Sequence, residues 1–272
     1  MPDSKNKLFF YLLLLASVIF STPAYSEQTS SATYKPTISI LIDDLGYKSK
    51  EDLRALALPG PVAYAILPHA PHTDKMSRIA QQYGKEVLLH QPMQAMDKNK
   101  FLGPGALTLN MTREEFLETL HINMRAVPNL IGLNNHMGSL LTRHPGHMQW
   151  LMEILKSNGQ FYIDSLTSQE SVAARLAKEN SVPYLTRDIF LDHKQNRAYI
   201  RKQFMELISH AKRHGSALGI GHPHVSTIEV LSEMLQDVNK YGVKFIGIKT
   251  LLKNRAIGKA NAQGTRTASA GM

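Results

Sequence analysis

Between Thr37 and Leu252, short and continuously apolar stretches alternate with longer segments of helical period, and that alternation leaves the chain very few folds. The stretches are TISILI, VAYAIL, EVLLH, LIGLNN, QFYID, VPYLTRDIF, SALGIG and VKFIGI. Apolar residues at successive positions, rather than at every second one, mark strands buried on both faces, as in parallel sheets. Parallel neighbours need long crossovers, and the intervening segments carry helix signals. Thr112 and Glu115 form a capping-box pair ahead of Phe116, Leu120, Met124 and Val127, while Gly159, Gly215 and Gly242 stand where helices stop. Further helices are expected over residues 73–83, 145–157, 168–179, 197–214 and 227–241. Seven or eight such βα units with right-handed crossovers favour an α/β fold whose mainly parallel sheet closes into a barrel. A doubly wound open sheet is the alternative.

The ends of the chain read differently. Lys5 and Lys7 precede the apolar run LFFYLLLLASVIF, and PAYS follows with Ala24 and Ser26 at the small-residue positions of a cleavage site. The run from Leu8 to Phe20 is short for a membrane span of roughly 20 residues. Residues 1–26 are therefore expected to be a signal peptide, with no stable membrane insertion after cleavage, and residues 27–36 a flexible lead-in. The barrel domain is placed at 37–253 and a disordered tail at 254–272. The chain has no cysteine, which suits an exported, periplasmic protein large enough to be held by its core alone. Its formal charge of +9 favours anionic surroundings, but no basic run is interleaved with aromatics, so no nucleic acid partner is expected.

In a parallel barrel all strand C-termini share one face, and that face carries the chemistry. The apolar runs end in Asp43 and Asp44, His90, His136, Asp164, Arg187 and Asp188, and His222. One such residue is ordinarily a cap or a surface group. Several on one rim are costly unless they pair or bind a cation. Imidazole nitrogens with a carboxylate oxygen suit a catalytic divalent metal, zinc by preference, with nickel, cobalt or manganese able to use the same set. HAPH at His69–His72 and HPGH at His144–His147 lack helical ligand spacing and read as loop polarity, although His72 is placed to line a substrate cleft. GXSXG, HEXXH and GXGXXG are absent, and Cys catalysis is excluded by composition. The long stretch from Gln91 to Met111 reads as a loop covering a binding site.

Taken in order, ILIDDLG, LLHQPM, GLNNHMGS, FYIDSLT, RDIFLDH and GIGHPH resemble the divergent polysaccharide deacetylase family, relatives of the NodB-type carbohydrate esterases, over about Thr37 to Leu252. The resemblance implies a distorted, NodB-like (β/α) barrel of about seven strands and metal-dependent removal of N-acetyl groups from an envelope polysaccharide. It also implies Asp43 as general base, Asp44 as metal ligand and His222 as general acid. The NodB-type pattern has a second metal His four residues after the first, where this chain has Gln94 after His90. His136, at the next strand end, is taken as the replacement ligand. Asp164, Arg187 and Asp188 are expected to support the base, a histidine tautomer or a bound product. The alternative is a catalytically inactive barrel that binds peptidoglycan or an envelope protein and regulates it.

Overall fold

A computed structural model describes residues 35–97 and 99–269, so the expected signal peptide and most of the lead-in lie outside the described residues. Each apolar run becomes a strand: β1 (Thr37–Leu45), β2 (Ala63–Ile66), β3 (Val87–Met93), β4 (Gly132–Met137), β5 (Phe161–Asp164), β6 (Tyr184–Thr186), β7 (Ile189–Phe190), β8 (Ser216–Gly221) and β9 (Lys244–Phe245). Every registered pair is parallel, in the order β6-β5-β4-β3-β2-β1-β8-β7, and β9 pairs with the start of β1. The expected strand VPYLTRDIF is split at Arg187 and Asp188. Arg187 N–H donates to the Asp164 carbonyl on the β5 side, at 3.0 Å, and Asp188 N–H to the Leu218 carbonyl on the β8 side, also at 3.0 Å. The two ends of the sheet are thus joined by two residues of chain and not by a ladder, and the barrel is distorted along that seam.

The crossovers are α1 (Ser49–Leu56), α2 (Thr73–Gln82), α3 (Arg113–Ala126), α4 (Pro145–Ser157), α5 (Ala173–Glu179), α6 (Arg197–His214) and α7 (Val225–Met234). Their ends follow local chemistry. Thr112 and Glu115 close a reciprocal capping box on α3, Pro145 starts α4, and Gly215, at φ +83°, ends α6. The sheet buries both faces. Outward residues such as Ile38, Ile40, Ile42, Tyr64, Leu89 and Tyr162 pack under the helices. A smaller inner set includes Leu41, Ala63, Ala65, Leu88, Ile163, Leu218 and Ile220.

The last helix, α8 (Ile248–Ser269), closes the end of the barrel away from the strand C-termini, and its Ile248 and Leu251 join the inner apolar set. Glu86, just ahead of β3, caps α8 by accepting the N–H groups of Ile248 at 2.5 Å and Lys249 at 3.1 Å. The tail expected to be disordered from 254 is therefore helical through Ser269. Its Ala, Lys, Arg and Gln residues are good helix formers, and the Arg255 guanidinium ties it to Asp188 at 2.5 Å. Among the described residues no helix is long and apolar enough to cross a membrane.

Close packing in the sheet makes one glycine testable. A Cβ on Gly132 would lie 2.7 Å from both the ring and the carbonyl oxygen of Phe161, on the neighbouring strand. Backbone cannot yield as a side chain does. Gly132→Ala is expected to destabilise by about 1–3 kcal/mol, seen as a lowered thermal midpoint; an unchanged midpoint would show that β5 moves freely.

Candidate metal centre and proton-transfer groups

Adjacent strand residues normally point to opposite faces, so Asp43 and Asp44 should not share a site. Two local features bring them together. The β1–β2 register slips between Ile42 and Leu45, and Asp44 sits in the left-handed region at φ 62°. Asp tolerates that conformation better than most residues, at a cost of roughly 1–2 kcal/mol. Met137 and Leu166, at the ends of β4 and β5, are left-handed too, at φ 56° and 50°. Such outliers gather where a site dictates the backbone. Both Asp43 and Asp44 consequently face His90, whose Nε2 lies 3.7 Å from Asp43 Oδ2 and 3.2 Å from Asp44 Oδ1.

The hydrogen bonds fix where the protons are. Asn134, buried on β4, donates Nδ2 to Asp43 Oδ1 and Oδ2 at 2.9 and 3.1 Å, so its Oδ1 is left as an acceptor. His90 Nδ1 donates to that oxygen at 2.8 Å, and Nε2 keeps its lone pair. On the far side, His136 Nε2 lies 3.3 Å from the Phe101 carbonyl, which can only accept, so Nδ1 holds the second lone pair. His136 Nδ1 is 3.2 Å from His90 Nε2 and 2.9 Å from Asp44 Oδ1. With both rings neutral, three acceptor atoms thus meet within hydrogen-bond distance, and Asp44 Oδ1 is buried with no well-directed donor. Ion–ligand bonds of about 2.0–2.1 Å would set tetrahedral ligands roughly 3.3 Å apart, close to these separations. The donor set fits a divalent cation.

The charges agree. Burial alone would raise the Asp44 carboxyl, but the hydrogen bonds and positive charge that His136 and His90 offer when protonated hold it well below the usual range, which marks a place built for positive charge. His90 is buried, which opposes protonation, yet Asp43 and Asp44 push its pKa up, so the two carboxylates favour positive charge at this position. The Asp43 carboxyl is raised, chiefly by burial, as suits a group that must accept a proton.

His222, at the end of β8, points Nε2 toward Asp44 Oδ2 at 3.8 Å, because its Nδ1 is bound to Asp192 Oδ1 at 3.0 Å. Burial depresses this imidazole, but Asp192 and the charges of Asp44 and Asp43 outweigh it and raise the pKa to about 9. Asp192, His222 and His224 also bring ligand-type atoms close together. That group differs from the first. Asp192 is already met by three donors, the His222 ring, the His222 amide at 2.6 Å and Thr227 Oγ1 at 2.8 Å. Both of its oxygens are already engaged by donors, and it orients an acid.

The remaining expected residues divide. Arg187 binds the carbonyls of Ser165 and Leu166 at 2.7 and 3.0 Å, and its charge acts on Asp43 and Asp164. Asp164 shapes the loop after β5, accepting from Leu166 N–H at 2.8 Å and Ser171 Oγ at 2.7 Å, and does not touch the cluster. Asp188 is a correction. Its carboxylate is spent on Arg255 and on the Leu218 amide, at 2.5 and 2.7 Å, because the seam turns it toward β8 and α8. The carboxylate that serves His222 is Asp192, four residues on. His72 precedes α2 with its amide on the Gly46 carbonyl, and none of the cluster's hydrogen bonds or ion pairs involves it. Gln94 accepts the Leu109 amide at 2.8 Å and is not a ligand. Asn134, Asp192 and the Phe101 carbonyl are the parts that sequence reading missed. Asn134 stands openly in GLNNHMGS and Asp192 in RDIFLDH; a backbone carbonyl leaves no signal.

Comparison with known proteins bears on this arrangement. The family described as divergent polysaccharide deacetylase matches residues 40–252. An uncharacterized protein of Haemophilus influenzae is 36% identical over 240 residues, covering 88% of this chain and 84% of its own. An uncharacterized protein of Agrobacterium tumefaciens C58 has a similar solved structure, with a TM-score of 0.77 and 22% identity over 80% of this chain and 89% of that one. The Bacillus anthracis CE4 family pseudoenzyme BA3943, in a mutant with restored enzymatic activity, shares the fold at a TM-score of 0.52 and 14% identity, covering 80% and 68% of the two chains.

Proposed function

The chain belongs to the divergent polysaccharide deacetylase family, and from that premise we propose that it is an exported, periplasmic hydrolase that removes N-acetyl groups from an envelope glycan. One observation carries the reading: Asp44 Oδ1, His90 Nε2 and His136 Nδ1 converge as three proton-free acceptors beside a buried base and a protonated acid. These three residues would hold the divalent ion, zinc by preference. When bound, it supplies Lewis acidity toward the acetyl carbonyl and lowers the pKa of water.

The chain's own groups do the rest. Asp43, raised by burial against the lowering charges of His90 and His222 and the hydrogen bond from Asn134, takes the proton from the attacking water. His222, charged at neutral pH and aimed by Asp192, returns a proton to the departing sugar nitrogen. Acetate and a free amine result. Access also suits a polymer. Tyr47, Met96, Phe101 and Val225 are exposed although large and apolar, and all follow the C-terminal ends of β1, β3 and β8. Apolar groups crowning a polar centre mark a ligand-binding rim, and pyranose rings present apolar faces to such rims.

The second reading, an inactive barrel that binds glycan or an envelope protein, is favoured by Gln94 standing where the NodB-type pattern has a ligand. Acetate release separates the two. Zinc-loaded protein is expected to release acetate from N-acetylated peptidoglycan or chitooligosaccharides, to stop after chelation and to recover when zinc returns. A protein that binds one ion yet releases no acetate from any of these glycans would be the binder.

A further inference from the structure

His136 reaches the cluster through Nδ1, whereas His90 uses Nε2, and the difference comes from outside β4. The Phe101 carbonyl takes the His136 Nε2 proton, so whatever fixes Phe101 also fixes which nitrogen faces Asp44. Phe101 lies in a short 3-10 turn, Asn99–Phe101, four residues ahead of Gly105. Gly105 is pinned from below. Its carbonyl accepts Asn123 Nδ2 at 2.7 Å and Gln91 Nε2 at 2.9 Å. Asn123, wholly buried on α3, also donates to Gln91 Oε1 at 2.8 Å, while its Oδ1 lies 2.8 Å from His69 Nε2.

This amide network is saturated and has no contact with the ligand atoms themselves. Gly105 is left-handed, at φ +75°, and a Cβ there would lie 2.3 Å from Asn123 Oδ1, so the fit admits no side chain. We propose that Asn123 is a positioning residue for the metal site: with Gln91 and Gly105 it clasps the Phe101 segment against His136 and holds that imidazole in the tautomer that offers Nδ1. The inference rests on Asp44, His90 and His136 being the ligands. It assigns a purpose to a buried Asn–Gln–His–Gly network that the hydrolytic steps do not use.

The test uses the full mature chain stripped of metal, with zinc as the probe. Long-range proton–nitrogen NMR correlations of the wild-type His136 ring are expected to show the proton on Nε2. Asn123→Ala and Gly105→Ala are each expected to weaken zinc binding by about 10–100-fold, with one ion still bound and an unchanged circular dichroism spectrum. They should also give His136 a mixture of tautomers, which a merely structural role would not produce. A wild-type His136 protonated on Nδ1, or folded variants that bind zinc within about threefold of wild type, overturns the clasp. Should neither variant fold, the wild-type tautomer decides. His136→Ala separates the two claims: if it binds zinc as tightly as wild type, the ligand assignment has failed, whereas if it loses zinc while both clasp variants keep theirs, only the clasp has.

Discussion

Asp44→Asn protein is expected to lose its zinc ion, by far more than the roughly 10–100-fold that removal of an outer hydrogen-bond partner costs, and to release no measurable acetate. His136→Ala should behave alike. The Asn replacement is the informative one at position 44, because Asn accepts left-handed backbone at least as readily as Asp, so the strand end at φ 62° is preserved. What changes is charge. The negative carboxylate that His136 and His90 hold well below the usual carboxylate range becomes a neutral amide, and its Nδ2 hydrogens can hydrogen-bond the very lone pairs an ion would need. The cluster is then satisfied without metal. Elemental analysis of the purified variant and its thermal midpoint together test this: metal should be missing while the midpoint of the metal-free protein is kept or raised. Wild-type stoichiometry in both variants would show that the ion, if any, is held elsewhere.

Much of this fold is visible in the chain because buried parallel strands write continuous apolar runs, and helix limits show where Pro or Gly enforces them. α4 and α6 run over residues 145–157 and 197–214, the limits that Pro145 and Gly215 suggest. α1 was not legible. It is short, its preceding residue Lys48 makes no side-chain cap, and the turn before it is secured by Asp52, which accepts the amides of Gly46 and Lys48 across the turn. Within the site, residues that end strands could be listed from sequence, since one rim collects them, with Asp188 the exception because it precedes β7 and turns toward α8. Direction could not. Whether Asp43 and Asp44 share a face depends on a register slip and one left-handed residue. Whether Asp188 or Asp192 meets His222 depends on where the seam falls. Both are settled by packing across strands distant in sequence, so a linear pattern does not carry them.

His222→Ala should keep its ion and lose turnover by about 10²–10⁴-fold, the usual contribution of a positioned acid or base. The separation from Asp44→Asn is the point, since His222 Nε2 stands 3.8 Å from Asp44 Oδ2 and is not one of the three converging acceptors. The pH profile gives the sign. His222 must be protonated to act as acid, its pKa is raised to about 9, and activity is therefore lost as pH climbs through that value. A cation on Asp44 offsets one of the charges that raise His222, so in the loaded protein the basic limb lies below about 9. Asp192→Asn removes a second charge and should pull the limb lower still, while leaving zinc affinity unaltered. The acidic limb belongs to Asp43, whose carboxyl is raised by burial, and should not move in Asp192→Asn. If that variant instead shifted the acidic limb and left the basic one in place, His222 would be the base and Asp43 the acid, and the direction of proton flow proposed for this site would have to be reversed.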